Sequence, residues 1–285
     1  MFFKTIRNKW KQYKFRFIPW IALNLKDRSV RSVAPSEKDK LFNDSQVEQF
    51  LLHFFENLEK VRQSNAQTSD DGDLWKPQKL TKEEQYLQHR NNLRMMEDCV
   101  GFIVERKQSL IPGGGTGVFV TKGQVPKGTV VSMYPGTLYR LGEPILLQSL
   151  ANPFIFRCID AVLIDGNDKN ISKSIYISCG QRDRHGPYLT CDLSWVTQYP
   201  INPLAVGQYV NNQSKLFPAN VAYQEFDIPL QFPFHLRKYI PNINYSSSIQ
   251  EISGQHRQTR VVVLVSLRTI EEGEELFSSY FTVVH

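Results

Sequence analysis

The chain has 285 residues, 41% apolar and 22% charged, with 18 Phe, 12 Tyr and 4 Trp, a composition that can fill a sizeable core and excludes wholesale disorder. It contains no run of about 18 apolar residues, which excludes a transmembrane helix. The net charge of +6 is local: seven of the 34 Lys and Arg lie in residues 1–26 with no acid, leaving 27 basic against 28 acidic residues elsewhere, so no phosphate-tracking groove and no direct nucleic acid binding are expected.

In chain order, Phe3, Ile6, Trp10, Tyr13 and Phe17 recur at spacings of 3 and 4. They predict a helix with one aromatic face and basic flanks, ended by Pro19. Three uses fit it: mitochondrial-type targeting, attachment to an anionic membrane surface, or packing of its aromatic stripe on the main domain. Ser45 with Glu48 forms a capping-box pattern ahead of Phe50, Leu51, Phe54, Phe55, Leu58 and Val61. Thr81 with Glu84 repeats it ahead of Tyr86, Leu87 and Leu93, and the polar stretch 63–79 between the two reads as a loop. From about residue 101 the texture changes. Segments 101–111, 117–123, 128–136, 159–166 and 260–267 are short β-rich runs bounded by Gly, Pro and Asn, with weak helical periodicity, and residues 225–259 read as an irregular insertion. Cys99, Cys158, Cys179 and Cys191 show neither CxxC pairing nor zinc-ligand spacing; they read as small buried apolar residues of a reducing, intracellular compartment.

The run Pro112-Gly113-Gly114-Gly115-Thr116-Gly117 allows close backbone approach and positive φ. A dinucleotide-binding turn would open a helix, but Val118-Phe119-Val120-Thr121 is strand-like, and the Gly-Lys-Ser/Thr of a phosphate loop is absent. The six histidines form no HExxH pair, no GxSxG occurs, and Glu271-Glu272-Gly273-Glu274-Glu275 reads as a solvated turn. No metal ligand set is expected.

Four segments in order resemble the SET-domain protein methyltransferases over roughly residues 102–282: the run from Gly113 through Tyr134-Pro135-Gly136; Ile159-Asp160-Ala161 with Gly166-Asn167; Gln208-Tyr209-Val210-Asn211-Asn212-Gln213-Ser214 with Ala219-Asn220-Val221; and Gly273-Glu274-Glu275-Leu276-Phe277-Ser278-Ser279-Tyr280. The resemblance implies an α+β chain: a helical region over 1–100, then a mainly β SET fold over 101–285. That fold is made of small sheets with a threaded C-terminal segment and carries insertions near 137–200 and 225–259. It implies S-adenosylmethionine as methyl donor and a protein lysine as acceptor. Gly115, Thr116, Gly117, Val118, Asn211, Asn212 and Tyr280 would contact the cofactor. Tyr280 would be the catalytic tyrosine and Tyr134 a second wall. It places the chain in the nucleus or cytoplasm, with mitochondrial targeting by the N-terminal helix as the alternative. Asn212 replaces the family's His, Ser279 replaces Asp, and Ser278 stands where the family limits methyl number with Phe or Tyr, so a roomier pocket is expected. The family's cysteine-rich closing segment has no counterpart in residues 281–285, which hands that wall to residues 225–259 or to the N-terminal helices. These departures keep open a SET-fold module that binds protein without catalysis.

Overall fold

The computed structural model describes residues 31–33, 42–66, 81–184, 188–246, 258–279 and 282–284. The predicted aromatic–basic helix, most of the 63–79 loop and Tyr280 lie outside them. After a short strand β1 (Arg31–Val33), helix α1 spans Asp44–Ala66 and α2 spans Lys82–Val100. The α1 cap is Asn43 rather than Ser45. Asn43 Oδ1 accepts from Gln46 N at 3.1 Å and Gln46 Oε1 accepts from Asn43 N at 3.2 Å, the same reciprocal chemistry two residues earlier. The helix also runs through residues 63–66, where the polar composition predicts loop. For α2 the expected box forms: Thr81 Oγ1 accepts from Glu84 N and Glu84 Oε2 from Thr81 N, a cap worth about 1 kcal/mol. Gly101, at φ 82, ends it in a left-handed turn. Only the C-terminal half of α2 reaches the core, through Leu93 and Met96; Tyr86 and Leu87 are exposed, and Tyr86 rests edge-on against Tyr199.

The strands follow as β2 (Phe102–Gln108), β3 (Thr116–Gly123), β4 (Val130–Tyr134) and β5 (Gly136–Tyr139). Next come a one-turn helix α3 (Leu146–Ser149), β6 (Ile155–Arg157), β7 (Leu163–Asp165) and α4 (Asn170–Arg182). A 3₁₀ turn over Gly207–Tyr209 leads to β8 (Asn211–Asn212) and β9 (Val221–Asp227). A second 3₁₀ turn (Phe234–Tyr239) precedes β10 (Asn242–Asn244), β11 (Arg260–Ser266), β12 (Phe277–Ser278) and β13 (Thr282–Val284). Among the described residues these strands make four small sheets: β2–β3, β10–β5–β7–β6, β4–β11–β9–β12–β8, and a parallel pair of β1 with β13. The chain is thus α+β and mainly β, and its C-terminal segment β12 is inserted between β8 and β9. β1 lies beside the tail that follows Tyr280, with Arg31 opposite Thr282.

Three features depart from the sequence reading. β9 escapes it because a buried strand is not expected to hold Gln224, yet its side chain is satisfied by both backbone groups of Phe42. Residues 225–259 are not irregular throughout: 225–227 complete β9, and β10 pairs in parallel with β5. Helix α4 has no counterpart among the predicted elements. It has no side-chain cap and starts from Asn170 at φ 52, so packing holds it: Tyr176 and Cys179 join Cys191, Trp195 and Val196 in a second small core.

The main core is shared by α1 and the strands: Leu51, Phe54, Phe55 and Leu58 belong to one cluster with Val118, Val120, Val131 and Val262–Val265. α1 docks on the second 3₁₀ turn, where the Phe55 ring meets Phe232 and Tyr239, and the Tyr239 hydroxyl donates to Glu59 Oε2 at 2.6 Å. All four cysteines are free thiols; three are buried and Cys99 is half-buried, and burial pushes the Cys158 and Cys191 thiols upward. No helix among the described residues is long and apolar enough to cross a membrane.

Candidate functional site

Three distant segments meet where β3 begins. The chain over 273–276 runs beside β3: Gly273 N donates to Val120 O at 2.8 Å, Val120 N to Glu274 O at 3.0 Å and Leu276 N to Val118 O at 2.7 Å. It continues as β12, whose Phe277 and Ser278 stand opposite Asn211 and Asn212 of β8 in a parallel register. Asn211 closes the junction from its side, donating through Nδ2 to Thr116 O at 3.2 Å and to Glu275 Oε1 at 3.0 Å. Asn220 fixes the same segment from below, donating to Glu275 O and accepting from Phe277 N.

The expected cofactor residues fall on this junction. Gly115 and Thr116 are exposed, and Gly115 takes φ +71 with open space where a Cβ would point, so its backbone conformation calls for glycine. Gly117 is glycine for another reason: a Cβ there would stand 2.1 Å from Glu275 Oε1. Val118 is fully buried, with its carbonyl committed to Leu276 N. Asn211 is buried and Asn212 half-buried, and Gln213 N donates to Ser278 O at 2.9 Å.

Glu275, expected in a solvated turn, is 2% exposed. Its carboxylate accepts from Ser109 Oγ at 2.7 Å, Leu110 N at 2.8 Å and Asn211 Nδ2. The expectation fails because glycine at 273 does mark a turn, with φ +88, but the chain straightens immediately after it and buries residues 275–278. The one signal in the sequence is Gly117, a glycine at the start of a strand where a branched residue would serve better.

Tyr134 ends β4 on the far side of the 3₁₀ turn. It is 3% exposed, donates its hydroxyl to Phe154 O at 2.8 Å, and lies among Phe156 and Tyr223 at centroid distances of 5.2 and 6.2 Å. Gly166 separates it from Gln208: a Cβ on Gly166 would meet Tyr134 Cε1 at 2.8 Å and Gln208 Cβ at 3.2 Å. Gln208 is not among the expected site residues. It is buried, and among the described residues neither its amide oxygen nor its nitrogen has a hydrogen-bond partner; the same holds for the hydroxyls of Ser278 and Ser279. Next to it Tyr209 donates to Asp168 Oδ2 at 2.6 Å beneath the Arg106 guanidinium, and burial followed by the Asp168 carboxylate pushes its phenol above the ordinary tyrosine range. Thr116, Asn211 and β12 are therefore brought together, Tyr134 packs instead against Gly166 and Phe154, and Tyr280 is outside the described residues.

One other cluster, Cys158, Asp160 and Glu225, has metal-like spacing. Arg260 occupies it, ion-paired to Asp160, Glu225 and Asp227, so a cation is already supplied by the chain.

No family model matches the chain. Among solved structures it is similar to a humanized mutant of the Chaetomium thermophilum Polycomb Repressive Complex 2 bound to the inhibitor GSK126, at 14% identity and a TM-score of 0.32 over 62% of this chain and 14% of that one. It is similar also to ctPRC2 in an autoinhibited conformation bound to S-adenosylmethionine, at 12% identity and a TM-score of 0.32 over 66% of this chain and 16% of that one. Sequence relatives are far nearer. SET domain-containing protein 9 of Pongo abelii is 46% identical over 90% of this chain and 97% of its own length. SET domain-containing protein 9 of Homo sapiens is 47% identical over 97% of this chain and 96% of its own length. Identity of that level, end to end, shows that the chain belongs to the SET domain-containing protein 9 family.

Proposed function

We propose that the chain moves methyl groups from S-adenosylmethionine to a lysine side chain of a protein. The observation that carries this reading is the bond from Asn211 Nδ2 to Thr116 O, which joins two motif segments 95 residues apart beside β12. The residues present suit such a cofactor: an exposed Gly115–Thr116 backbone, an Asn211 amide whose hydrogens are engaged so that Oδ1 is left to accept, and the buried, unpartnered hydroxyls of Ser278 and Ser279. When bound, S-adenosylmethionine supplies an electrophilic methyl group on a positively charged sulfur.

In this reading Gly115, Thr116, Gly117 and Val118 hold the cofactor with their backbone, together with Asn211 and Asn212. Tyr280 places its phenol against the transferring methyl. Tyr134, whose proton is spent on Phe154 O, serves as a wall with Phe156 and Tyr223 rather than as a base. A lysine must be neutral to attack, and an apolar wall near a cationic sulfur favours the neutral amine by desolvation and like-charge repulsion. The chain's remaining task is alignment and exclusion of water. Ser278 carries no ring where the family has Phe or Tyr, and Phe277, the neighbouring ring, stacks on Phe217 at 5.0 Å, which supports a reading with two or three methyl groups added. The alternative, a protein-binding module without catalysis, draws on Asn212, Ser278 and Ser279, which depart from the family pattern.

Titration calorimetry with S-adenosylmethionine, then methyl transfer to a protein array, tests the reading. Tyr280→Phe is expected to lower kcat about 100-fold while leaving cofactor affinity within about 3-fold. Absence of cofactor binding at millimolar concentration overturns the reading. Binding without any transfer selects the module instead.

A further inference from the structure

We propose that Glu275 is a positioning residue: its carboxylate sets which end of the Asn211 amide faces outward and holds the glycine turn against it. This rests on the cofactor-binding reading above, but its core is a claim about the chain alone. An asparagine amide can present its oxygen or its nitrogen, and its neighbours decide which. Asn211 meets two groups, Thr116 O and Glu275 Oε1, and both are acceptors. The NH₂ must therefore face both, and Oδ1 is turned the other way. The same carboxylate gathers the loop between β2 and β3 through Ser109 Oγ and Leu110 N, residues 166 and 165 positions away in sequence. It also fills the volume above Gly117, where a Cβ would stand 2.1 Å from Oε1. One side chain thus ties the turn, β8 and the closing segment.

The donor–acceptor arithmetic gives a test that a merely structural side chain would not pass. In Glu275→Gln the introduced nitrogen takes one of two places: at Oε1 it faces Asn211 NH₂ and at Oε2 it faces Leu110 N, donor against donor either way. In the first the Asn211 amide loses its orientation, because turning it sets its oxygen against Thr116 O; in the second Leu110 N loses its acceptor. In Asn211→Asp, acceptor faces acceptor. Combining the two restores the pairing on the side of residue 275 alone: the introduced amide nitrogen donates to the introduced carboxylate and to Ser109 Oγ, and the amide oxygen accepts from Leu110 N, while Thr116 O still faces an acceptor, so recovery is partial.

Calorimetry on the full chain is expected to show S-adenosylmethionine affinity weakened about 10- to 100-fold in Glu275→Gln and at least 10-fold in Asn211→Asp. The double variant is expected to bind at least about 5-fold more tightly than Asn211→Asp alone. Additive losses, or unchanged affinity in Glu275→Gln, overturn the proposal. Amide exchange of Leu110 in the ligand-free protein judges the holding role separately, with exchange expected to quicken about 10-fold in Glu275→Gln. If wild type binds no cofactor, the functional reading falls, while unchanged exchange at Leu110 would sink this one. Should Glu275→Gln fail to fold, Ser109→Ala leaves the carboxylate in place and removes one donor. A Leu110 amide that is no faster in that variant counts against the proposal.

Discussion

The junction around Glu275 and the small core built by the excursion from Asp168 to Val206 are both buried, but they are held in opposite ways. At the junction, polar side chains satisfy backbone and each other across sequence separations of 55 to 166 residues, Gly117 leaves the room and Gly115 makes the turn. In the excursion, rings and thiols pack locally: Tyr176 lies edge-on to Trp195 at 4.9 Å, with Cys179, Cys191 and Val196 around them. Each junction position admits one residue type, because hydrogen-bond direction and a missing Cβ are all-or-none. An apolar core admits many residues of similar volume. The first kind of construction fixes atoms; the second fixes only a fold.

Gly117→Ala is the sharpest way to break this contrast and has the largest expected effect on cofactor affinity. The added Cβ would fall 2.1 Å from Glu275 Oε1, and the carboxylate cannot retreat without giving up Ser109, Leu110 or Asn211. We expect cofactor affinity to drop more than about 100-fold and stability to fall by about 1–3 kcal/mol, read by calorimetry and urea denaturation. Gly115→Ala makes the control, since its Cβ meets open space and only the φ of +71 resists it; about 1 kcal/mol and a smaller loss of affinity are expected.

This contrast also explains what could be read from the sequence. Features set by local chemistry or strong patterning were legible: the Thr81–Glu84 box, the glycine turn at Gly115, and the Val-rich runs of β4 and β11. Residues whose role depends on a distant partner were not. Glu275 looks like a surface acid until Ser109, Leu110 and Asn211 arrive to satisfy it. Gln224 looks like a strand breaker until Phe42 pairs with it. Helix α4, with branched residues and no side-chain cap, has no local reason to be helical, because its stability comes from Trp195, beyond its own end.

Trp195→Ala tests the other half of the comparison. The side chain is fully buried, and its removal leaves a cavity against Tyr176 that the small core cannot refill. A loss of about 3–5 kcal/mol is expected by urea denaturation. Cofactor affinity, measured by calorimetry at a temperature where the variant stays folded, is expected to remain within about 3-fold of wild type. A proportional loss of affinity would show that the excursion helps to shape the junction and would dissolve the distinction.

A pH-dependent effect comes from the excursion's own buried acid. Asp192 is 2% exposed; burial raises its carboxyl from the ordinary range to about 6, against the opposing donors Ser194 N, Ser194 Oγ and Asn202 N. Between its unfolded value of 3.8 and about 6, the folded chain holds a proton that the unfolded chain has released. Stability contributed by this group is therefore full below about pH 4, falls as pH rises toward 6 and is flat above, by no more than about 3 kcal/mol in all. Asp165, also raised by burial, adds a slope of the same sign, so the informative quantity is the difference between wild type and Asp192→Asn. Urea midpoints at pH 4, 5, 6 and 7 are expected to show that difference shifting in favour of the variant as pH rises. A difference that stays constant over this range would mean that Asp192 ionises in the fold as easily as in the unfolded chain, and that its donors, rather than the surrounding apolar packing, govern it.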